Sequence, residues 1–265
     1  MIITRTPLRI SIGGGGTDLP SYYGEFGGFV IAAAISQYVY ISINKMWRPG
    51  YLLKYSCLEH ATDVRRIKHP IFREVLARHN GEGSLEIASM ADVPAGTGLG
   101  SSGAFAVGLL RALYAHKKKH VSACEIAEEA CDIEINILRQ SVGKQDQYIA
   151  ALGGLTCLEF HTDGRVTFSP LAISAATQAD LEHNLLMFFT GYTHSAGEVL
   201  EDQNKRSLER DEAMIENLHF TKQLGLQARD LLEAGKTRCY AELLNVHWEH
   251  KRARSNGMTN SNIDR

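Results

Sequence analysis

The sequence predicts an α+β fold in two domains, residues 1–172 and residues 173–265. Two observations carry this prediction. In the first part of the chain, stretches rich in Ile, Val and Tyr alternate with stretches that have the apolar spacing of helices. From about residue 198 to about residue 254, charged sequence with helical spacing dominates instead. An α/β domain is therefore expected to precede a region made mostly of helices.

Strands are predicted where β-branched and aromatic residues dominate, because these side chains pack well on a pleated surface. A turn at 161–164 predicts that two of the strands form a hairpin. A further apolar strand is expected to end at Gly191. The predicted strands cover residues 2–12, 29–45, 51–55, 85–90, 155–160, 166–168 and 185–190.

Helices are predicted from apolar spacing and from their start signals. Ser122 is expected to cap a helix, with Glu125 three residues later completing a capping box. The helix that begins at Ser101 is small and apolar, which favours a buried position. The predicted helices cover residues 70–79, 101–116, 122–139, 198–224, 227–234 and 237–254.

Composition and charge exclude several classes of function. The 265 residues are 44% hydrophobic and 22% charged with a net charge of −2, so a nucleic-acid partner is not expected. No apolar run approaches the roughly 20 residues that cross a bilayer, and residues 1–12 lack the order of a signal peptide, which predicts a cytoplasmic protein without a membrane partner. Five cysteines without a CxxC pair argue against a disulfide framework and a zinc site.

A glycine and serine loop, PAGTGLGSSGA at residues 94–104, lies between a predicted strand and an apolar helix. Its glycines let several backbone N–H groups converge on one anion, and the helix adds its positive end, so the loop is predicted to hold nucleotide phosphates. No lysine follows the last glycine, unlike a P-loop, and Ser101 or Ser102 could offer oxygen to a metal ion. The alternative is a turn with close helix packing. The predicted nucleotide-binding residues are Pro94, Gly96, Thr97, Gly98, Leu99, Gly100, Ser101, Ser102 and Gly103.

A second glycine-rich stretch, PLRISIGGGGTDLP, begins at Pro7 as a strand and ends in a hydroxyl and a carboxylate. A ligand can approach such a backbone closely, while Asp18 can accept hydrogen bonds from sugar hydroxyls and Arg9 can address phosphate oxygens. The alternative is a tight turn in which Asp18 caps a helix. The predicted substrate-binding residues here are Arg9, Gly14, Gly15, Thr17 and Asp18.

Two acidic residues, Glu134 and Asp146, form the third candidate group. Phosphoryl transfer needs one carboxylate near the attacking hydroxyl and a second for magnesium. The pair can fill those roles. The alternative is that both are solvated acids on an amphipathic helix.

In this order, the three segments resemble the GHMP kinases, the superfamily of galactokinase, homoserine kinase, mevalonate kinase and phosphomevalonate kinase. The motif PAGTGLGSSGA carries most of the resemblance, and PLRISIGGGGTDLPSYY is more similar to the heptose and fucose kinases than to galactokinase. The resemblance implies an amino-terminal domain like domain 2 of ribosomal protein S5, and a ferredoxin-like carboxy-terminal domain. ATP and sugar would meet between these domains.

The resemblance also implies roles for single residues. Ser102 and Glu134 match the family's magnesium ligands, and Asp146, twelve residues after Glu134, matches its catalytic aspartate. Asp18 matches the sugar-binding aspartate, and Arg9 the basic residue near the transferred phosphate. The implied cofactors are ATP and Mg²⁺.

The implied reaction is phosphorylation of a sugar or sugar phosphate by a monomer or homodimer, with the anomeric hydroxyl of a heptose 7-phosphate as the expected acceptor. Another acceptor, such as fucose, galactose or mevalonate, and a non-catalytic sugar and ATP sensor stay open. Members of the family are expected to carry a third glycine-rich motif near their carboxy terminus. No such motif occurs before Arg265, so the carboxy-terminal domain is expected to be truncated.

Overall fold

The computed structural model describes residues 1–79, 83–191, 196–254 and 259. The chain forms two compact units. The first comprises Met1–Arg9, Ala34–Gln140 and Asp146–Gly153, and the second comprises Ile10–Ala33, Ser141–Gln145 and Gly154–Arg265. The domain boundary at residue 172 stays a prediction.

Strands and helices alternate along the first half of the described chain, and helices dominate the second half. The strands are β1 Ile2–Gly13, β2 Gly28–Lys45, β3 Gly50–Lys54, β4 Leu58–Ala61, β5 Ser84–Ala91, β6 Leu155–Phe160 and β7 Val166–Pro170. The helices are α1 Pro20–Phe26, α2 Pro70–Arg78, α3 Ser101–His116, α4 Ala123–Cys131, α5 Gln145–Leu152, α6 Ala175–Asn184, α7 Ala196–Leu208, α8 Glu212–Glu233 and α9 Thr237–Arg254. A 3₁₀ turn at Val64–Arg66 and a π-helical segment at Asp132–Ile137 complete the set.

The first unit holds the strand order β4-β3-β5-β2. β2 runs antiparallel to β5, from Val39 opposite Ala91 to Lys45 opposite Leu85, and β3 runs parallel to β5. Alternate residues of β2 point into the core, where Ile41 and Ile43 are fully buried. This alternation is the pattern from which the strand was predicted.

Helix α3 is the central helix of the first unit and contacts α2 and α4. Its residues from Gly103 to Leu110 are all buried, which agrees with its small and apolar sequence. The predicted capping box of α4 is confirmed, because Ser122 Oγ accepts from the Glu125 N–H and the Glu125 carboxylate accepts from the Ser122 N–H. These contacts fix the point at which the chain enters α4.

The second unit holds the strand order β2-β6-β7 and four long helical segments, α6 to α9. Its main core joins β1 and β2 to α8 and α9 through Ile12, Ile31, Leu232 and Tyr240. The Tyr240 hydroxyl donates to the Ile12 carbonyl at 3.0 Å, so a buried polar group is satisfied inside this core.

Two predicted elements are wrong. Residues 185–190 form no strand, and Leu186, Phe188 and Phe189 are 76%, 78% and 65% exposed. A strand requires a hydrogen-bonding neighbour, and none of the residues that the structure describes pairs with this segment. The helix predicted over 198–224 is instead divided between α7 and α8, because Arg210 takes a left-handed conformation and Asp211 caps a new helix through the Met214 N–H.

The predicted helix at 122–139 also ends early as an α-helix. α4 ends at Cys131, and the chain continues as the π-helical segment. Strand β4 and helices α1, α5 and α6 were not predicted, because each is short and carries little apolar periodicity. Over the ranges that the structure describes, no helix is long and apolar enough to cross a membrane.

Candidate active site

The predicted phosphate loop leads directly into α3. Gly100 caps this helix in the left-handed region, at φ 74°, and has no side chain with which to bind the first-turn N–H groups. Those N–H groups are therefore left for another acceptor, at the positive end of a buried helix. Gly98 is also left-handed, at φ 74°, so the turn before the helix needs glycine at both positions. The local structure agrees with an anion-binding loop.

Arg9 forms hydrogen bonds with both this loop and the start of α5. Its backbone N–H donates to the Leu99 carbonyl at 3.0 Å, and its Nη1 donates to the Gly98 carbonyl at 2.7 Å. Its Nε and Nη2 both lie against Asp146 Oδ1, at 2.7 and 2.6 Å. The guanidinium therefore fixes the loop backbone and the carboxylate of Asp146 relative to each other.

Gly103 lets α5 approach α3. A Cβ atom at Gly103 would lie 2.8 Å from Asp146 Cβ, closer than real Cβ atoms approach, and 3.1 Å from the Asp146 carbonyl carbon, which is a tight contact. A Cβ atom at Gly100 would lie 3.2 Å from Asp146 Cγ. Glycine at these positions therefore places Asp146 beside the loop.

Glu134 lies in the π-helical segment and is fully buried. Its Oε1 accepts from Ser102 Oγ at 2.5 Å, and its Oε2 accepts from Gln147 Nε2 at 2.7 Å. The pKa of Glu134 is raised to about 7: burial is the largest cause and the charge of Asp146 adds to it, while the bonds from Ser102 and Gln147 oppose the increase. π-helical turns inside α-helices occur frequently at functional sites.

The residues around Glu134 fit a magnesium ion. The donor set is a hydroxyl and a carboxylate, which are the hard oxygen ligands that Mg²⁺ prefers. In the part of the chain that the structure describes, no cationic side chain pairs with Glu134, so its buried negative charge is compensated only by hydrogen bonds. Mg²⁺ is commonly held by one or two protein ligands together with substrate phosphates, and Ser102 and Glu134 match that number.

The second glycine-rich stretch forms a buried loop in the second unit. Asp18 is 2% exposed and accepts from the Gly16 N–H, the Gln145 N–H and Gln145 Nε2, each at 3.2 Å. A side chain on Gly143 would collide with the Asp18 carboxylate. The Thr17 hydroxyl, which is fully buried, lies 2.9 Å from both the Gly14 and the Phe29 carbonyl oxygens and donates its one hydrogen to either of them. Asp18 and Thr17 therefore organise the loop that contains Gly14 and Gly15.

Arg254 contacts the same loop, which the sequence did not indicate. This guanidinium is 3% exposed, and its three nitrogen atoms donate to the Asn217 side chain, the Gly15 carbonyl and the Thr221 hydroxyl. Burial lowers its pKa to about 10, and the charge of Asp18 opposes that change. In the sequence Arg254 stands in a basic helix end, where such residues are usually solvated, so no local signal identified it.

The structure therefore groups the predicted site residues in two places. In the first unit it brings together Arg9, Ser102, Glu134, Asp146 and the glycine loop. In the second unit it brings together Gly14, Gly15, Thr17 and Asp18. The roles assigned to these residues stay predictions.

Comparison with known proteins gives the same class. Residues 66–154 match the family model of the GHMP kinases N terminal domain. The whole chain is 29% identical to the D-glycero-alpha-D-manno-heptose 7-phosphate kinase of Campylobacter jejuni, of which the match covers 81%. The bifunctional fucokinase/GDP-fucose pyrophosphorylase of Arabidopsis thaliana is 26% identical over 85% of this chain and 24% of that protein.

A solved structure shares the fold over most of the chain. The crystal structure of a D-glycero-D-manno-heptose 1-phosphate kinase from Bacteroides thetaiotaomicron matches with a TM-score of 0.79 and 26% identity, over 95% of this chain and 79% of that one. The fold is thus the two-domain fold of the GHMP kinases. The chain contains a GHMP kinase N-terminal domain over residues 66–154, and it is an ATP-dependent sugar kinase.

Proposed function

We propose that the kinase transfers the γ-phosphate of ATP to the anomeric hydroxyl of D-glycero-D-manno-heptose 7-phosphate and so forms the 1,7-bisphosphate. The chemical step is supported by one observation above all, the bridge that Arg9 makes between the glycine loop and Asp146. The acceptor is supported by the relative named as a heptose 7-phosphate kinase, which matches the whole chain.

In this proposal the nucleotide phosphates bind the loop from Pro94 to Gly103. The free N–H groups at the start of α3 and the guanidinium of Arg9 stabilise the charge that moves onto the leaving ADP. As the acceptor oxygen bonds to the γ-phosphorus and the bond from phosphorus to the ADP oxygen breaks, Asp146 takes the proton of the hydroxyl. Arg9 fixes the orientation of Asp146, and Gly103 fixes its distance from the loop.

Magnesium, which GHMP kinases generally use, would be held by Ser102 and Glu134 and would neutralise part of the phosphate charge. Ser102 Oγ now donates to Glu134, so both ligand atoms already lie within 2.5 Å of each other. The buried position of Glu134 excludes water from one side of this pair.

The loop around Asp18 stays the proposed binding site for the sugar. Its backbone is held in place by Asp18 and Thr17 through hydrogen bonds inside the second unit. Because these two side chains and Gly14 are buried, the partly exposed backbone of Gly15 is the part of this stretch that can meet a ligand.

The first test is ADP release from Mg-ATP with a panel of acceptors. D-glycero-D-manno-heptose 7-phosphate is compared with the corresponding heptose 1-phosphate, fucose, galactose and mevalonate. Turnover selective for the 7-phosphate, with a product that carries phosphate at the anomeric position, supports the proposal. Preference for fucose would instead support a fucokinase, the activity for which the Arabidopsis relative is named.

The second test replaces the proposed base. Asp146→Asn keeps the size of the side chain but removes its ability to take a proton, so kcat should fall by about 10²-fold or more while ATP affinity changes little. Asp163→Asn is the matched control, because Asp163 pairs with Arg165 in a surface turn of the second unit. Turnover by Asp146→Asn equal to that of the control would exclude Asp146 as the base.

A further inference from the structure

A cavity lies in the first unit, at the end of α3 and the beginning of α4, and the proposed reaction does not use it. Its volume is about 450 Å³, within the range of small-molecule sites. The polar side of the cavity is formed by Arg111, Lys118, Lys119 and His120, and the apolar side includes Tyr114 and Ile126.

The charge of this cavity is strongly positive. Arg111, Lys118 and Lys119 line it, and none of the lining residues is acidic. Two acidic side chains of α4 lie outside the lining: Glu125 accepts from Ser122, and Glu129 accepts from the Tyr114 hydroxyl and contacts His79. Among the described residues, Lys118 and Lys119 form no ion pair. The cavity therefore attracts an anion.

Of these three cations, Arg111 is partly buried. In the part of the chain that the structure describes, its guanidinium donates to one acceptor, the carbonyl of Ala151, and pairs with no carboxylate. Burial lowers the pKa of Arg111, as expected for a cation without a negative partner. A guanidinium has five N–H donors, so most of them stay available to a ligand with several oxygen atoms.

Lys118 supplies an independent observation. It lies at φ 54°, in the left-handed region that helix ends usually fill with glycine. The Lys119 N–H donates to the Tyr114 carbonyl and the Lys118 N–H to the Ala115 carbonyl, so the chain makes a Schellman turn around a lysine. A lysine held there is less stable than a glycine would be. Lys118 lines the cavity, and a function there would explain why a lysine occupies this unfavourable backbone position.

The cavity is connected to the active-site residues of the same unit. Arg111 lies in α3, the helix into which the phosphate loop leads. Ala151, the acceptor of Arg111, is in α5, the helix that begins with Gln145 and Asp146. A ligand that draws the guanidinium of Arg111 toward itself changes a contact at the far end of the helix that holds Asp146.

We propose that this cavity binds a phosphate-bearing small molecule of about the size of a sugar phosphate, and that binding alters the hold of Arg111 on α5. The cations bind the phosphate, and Tyr114 and Ile126 contact the remainder of the molecule. Binding itself does not depend on the proposed reaction, whereas its effect on turnover rests on the proposed role of Asp146.

The test measures binding without turnover. Inorganic pyrophosphate is titrated into the full chain by calorimetry in the presence of saturating Mg-AMPPNP, which keeps the nucleotide loop occupied. The variant Lys118→Gln/Lys119→Gln removes two cations from the cavity. The matched control, Arg65→Gln/Arg66→Gln, removes two cations from the exposed turn at Val64–Arg66 in the same unit. Hydrogen exchange of the α5 amides is followed in parallel.

Pyrophosphate should bind the wild-type chain and the control with equal affinity. It should bind the Lys118→Gln/Lys119→Gln variant roughly tenfold more weakly, because that variant loses at least one charge-assisted contact with the ligand. Its addition should change exchange at residues 149–152 in the wild type. Absence of binding under AMPPNP, or equal weakening in both variants, would refute the site. Binding without a change in α5 exchange would refute the connection through Arg111.

Discussion

Gly103→Ala tests whether close contact between α3 and α5 places Asp146 for catalysis. The added Cβ would lie 2.8 Å from Asp146 Cβ, whereas carbon atoms in favourable contact are about 3.5 to 4.0 Å apart. The two helices must therefore separate by roughly 1 Å at this point. Overpacking of this kind costs about 1 to 3 kcal/mol of folding free energy. A displacement of 1 Å in an active site can also cost about 10²-fold in rate.

Gly108→Ala is the control, because Gly108 lies in the same helix as Gly103. A Cβ at Gly108 would lie 2.8 Å from Thr6 Oγ1 and 3.3 Å from an Ile41 carbon, so the steric conflict is similar but involves no proposed active-site residue. Both variants should lose a similar free energy of unfolding in urea titrations. Only Gly103→Ala should lose about 10²-fold in kcat, measured by ADP release, with a smaller change in the KM for ATP.

Equal kcat in the two variants would contradict this reasoning, because stability would then account for everything that the substitution does. A loss in Gly103→Ala that appears only in the KM for ATP would assign Gly103 to the phosphate loop rather than to the placement of Asp146.

Three further predictions concern stability. Arg254→Lys should lower the unfolding free energy by about 2 kcal/mol in urea titrations, because one ammonium cannot reach Asn217, Gly15 and Thr221 together. Burial lowers the pKa of His247 to about 4, so the unfolded chain binds the proton more readily, and stability is lost as pH falls from about 6.5 to about 4. His247→Met should therefore gain up to about 3 kcal/mol relative to wild type over that interval, as followed by thermal unfolding at a series of pH values. Lys118→Gly should raise stability by about 1 kcal/mol and weaken pyrophosphate binding, whereas a purely structural lysine would leave binding unchanged.

The parts of the site that were predicted from the sequence depend on local chemistry. Glycines and serines before a helix indicate an anion-binding loop without knowledge of distant residues, and the structure gives Gly98 and Gly100 the expected left-handed conformations. The core strands were predicted for a similar reason, since alternation along β2 is visible within a few residues.

The parts that were missed depend on residues far apart in the chain. Arg9 and Asp146 are 137 positions apart, and only the folded chain shows that they share a hydrogen bond. Asp18 and Gln145 are 127 positions apart, and only the folded chain shows that the backbone and side-chain N–H groups of Gln145 donate to the Asp18 carboxylate. Residues 185–190 have the composition of a strand, but composition does not supply a neighbouring strand.

Helix α3 restrains α5 at both of its ends. Near the start of α5, Gly103 allows the backbone of Asp146 to approach closely, and near its end Arg111 binds the carbonyl of Ala151. The same helix presents its first-turn N–H groups at the phosphate loop. One rigid element thus sets the positions of both the proposed phosphate site and the proposed base, so a disturbance of either contact should reach Asp146. Hydrogen exchange of α5 should consequently rise in Gly103→Ala and stay at the wild-type value in Gly108→Ala, although both variants lose similar stability.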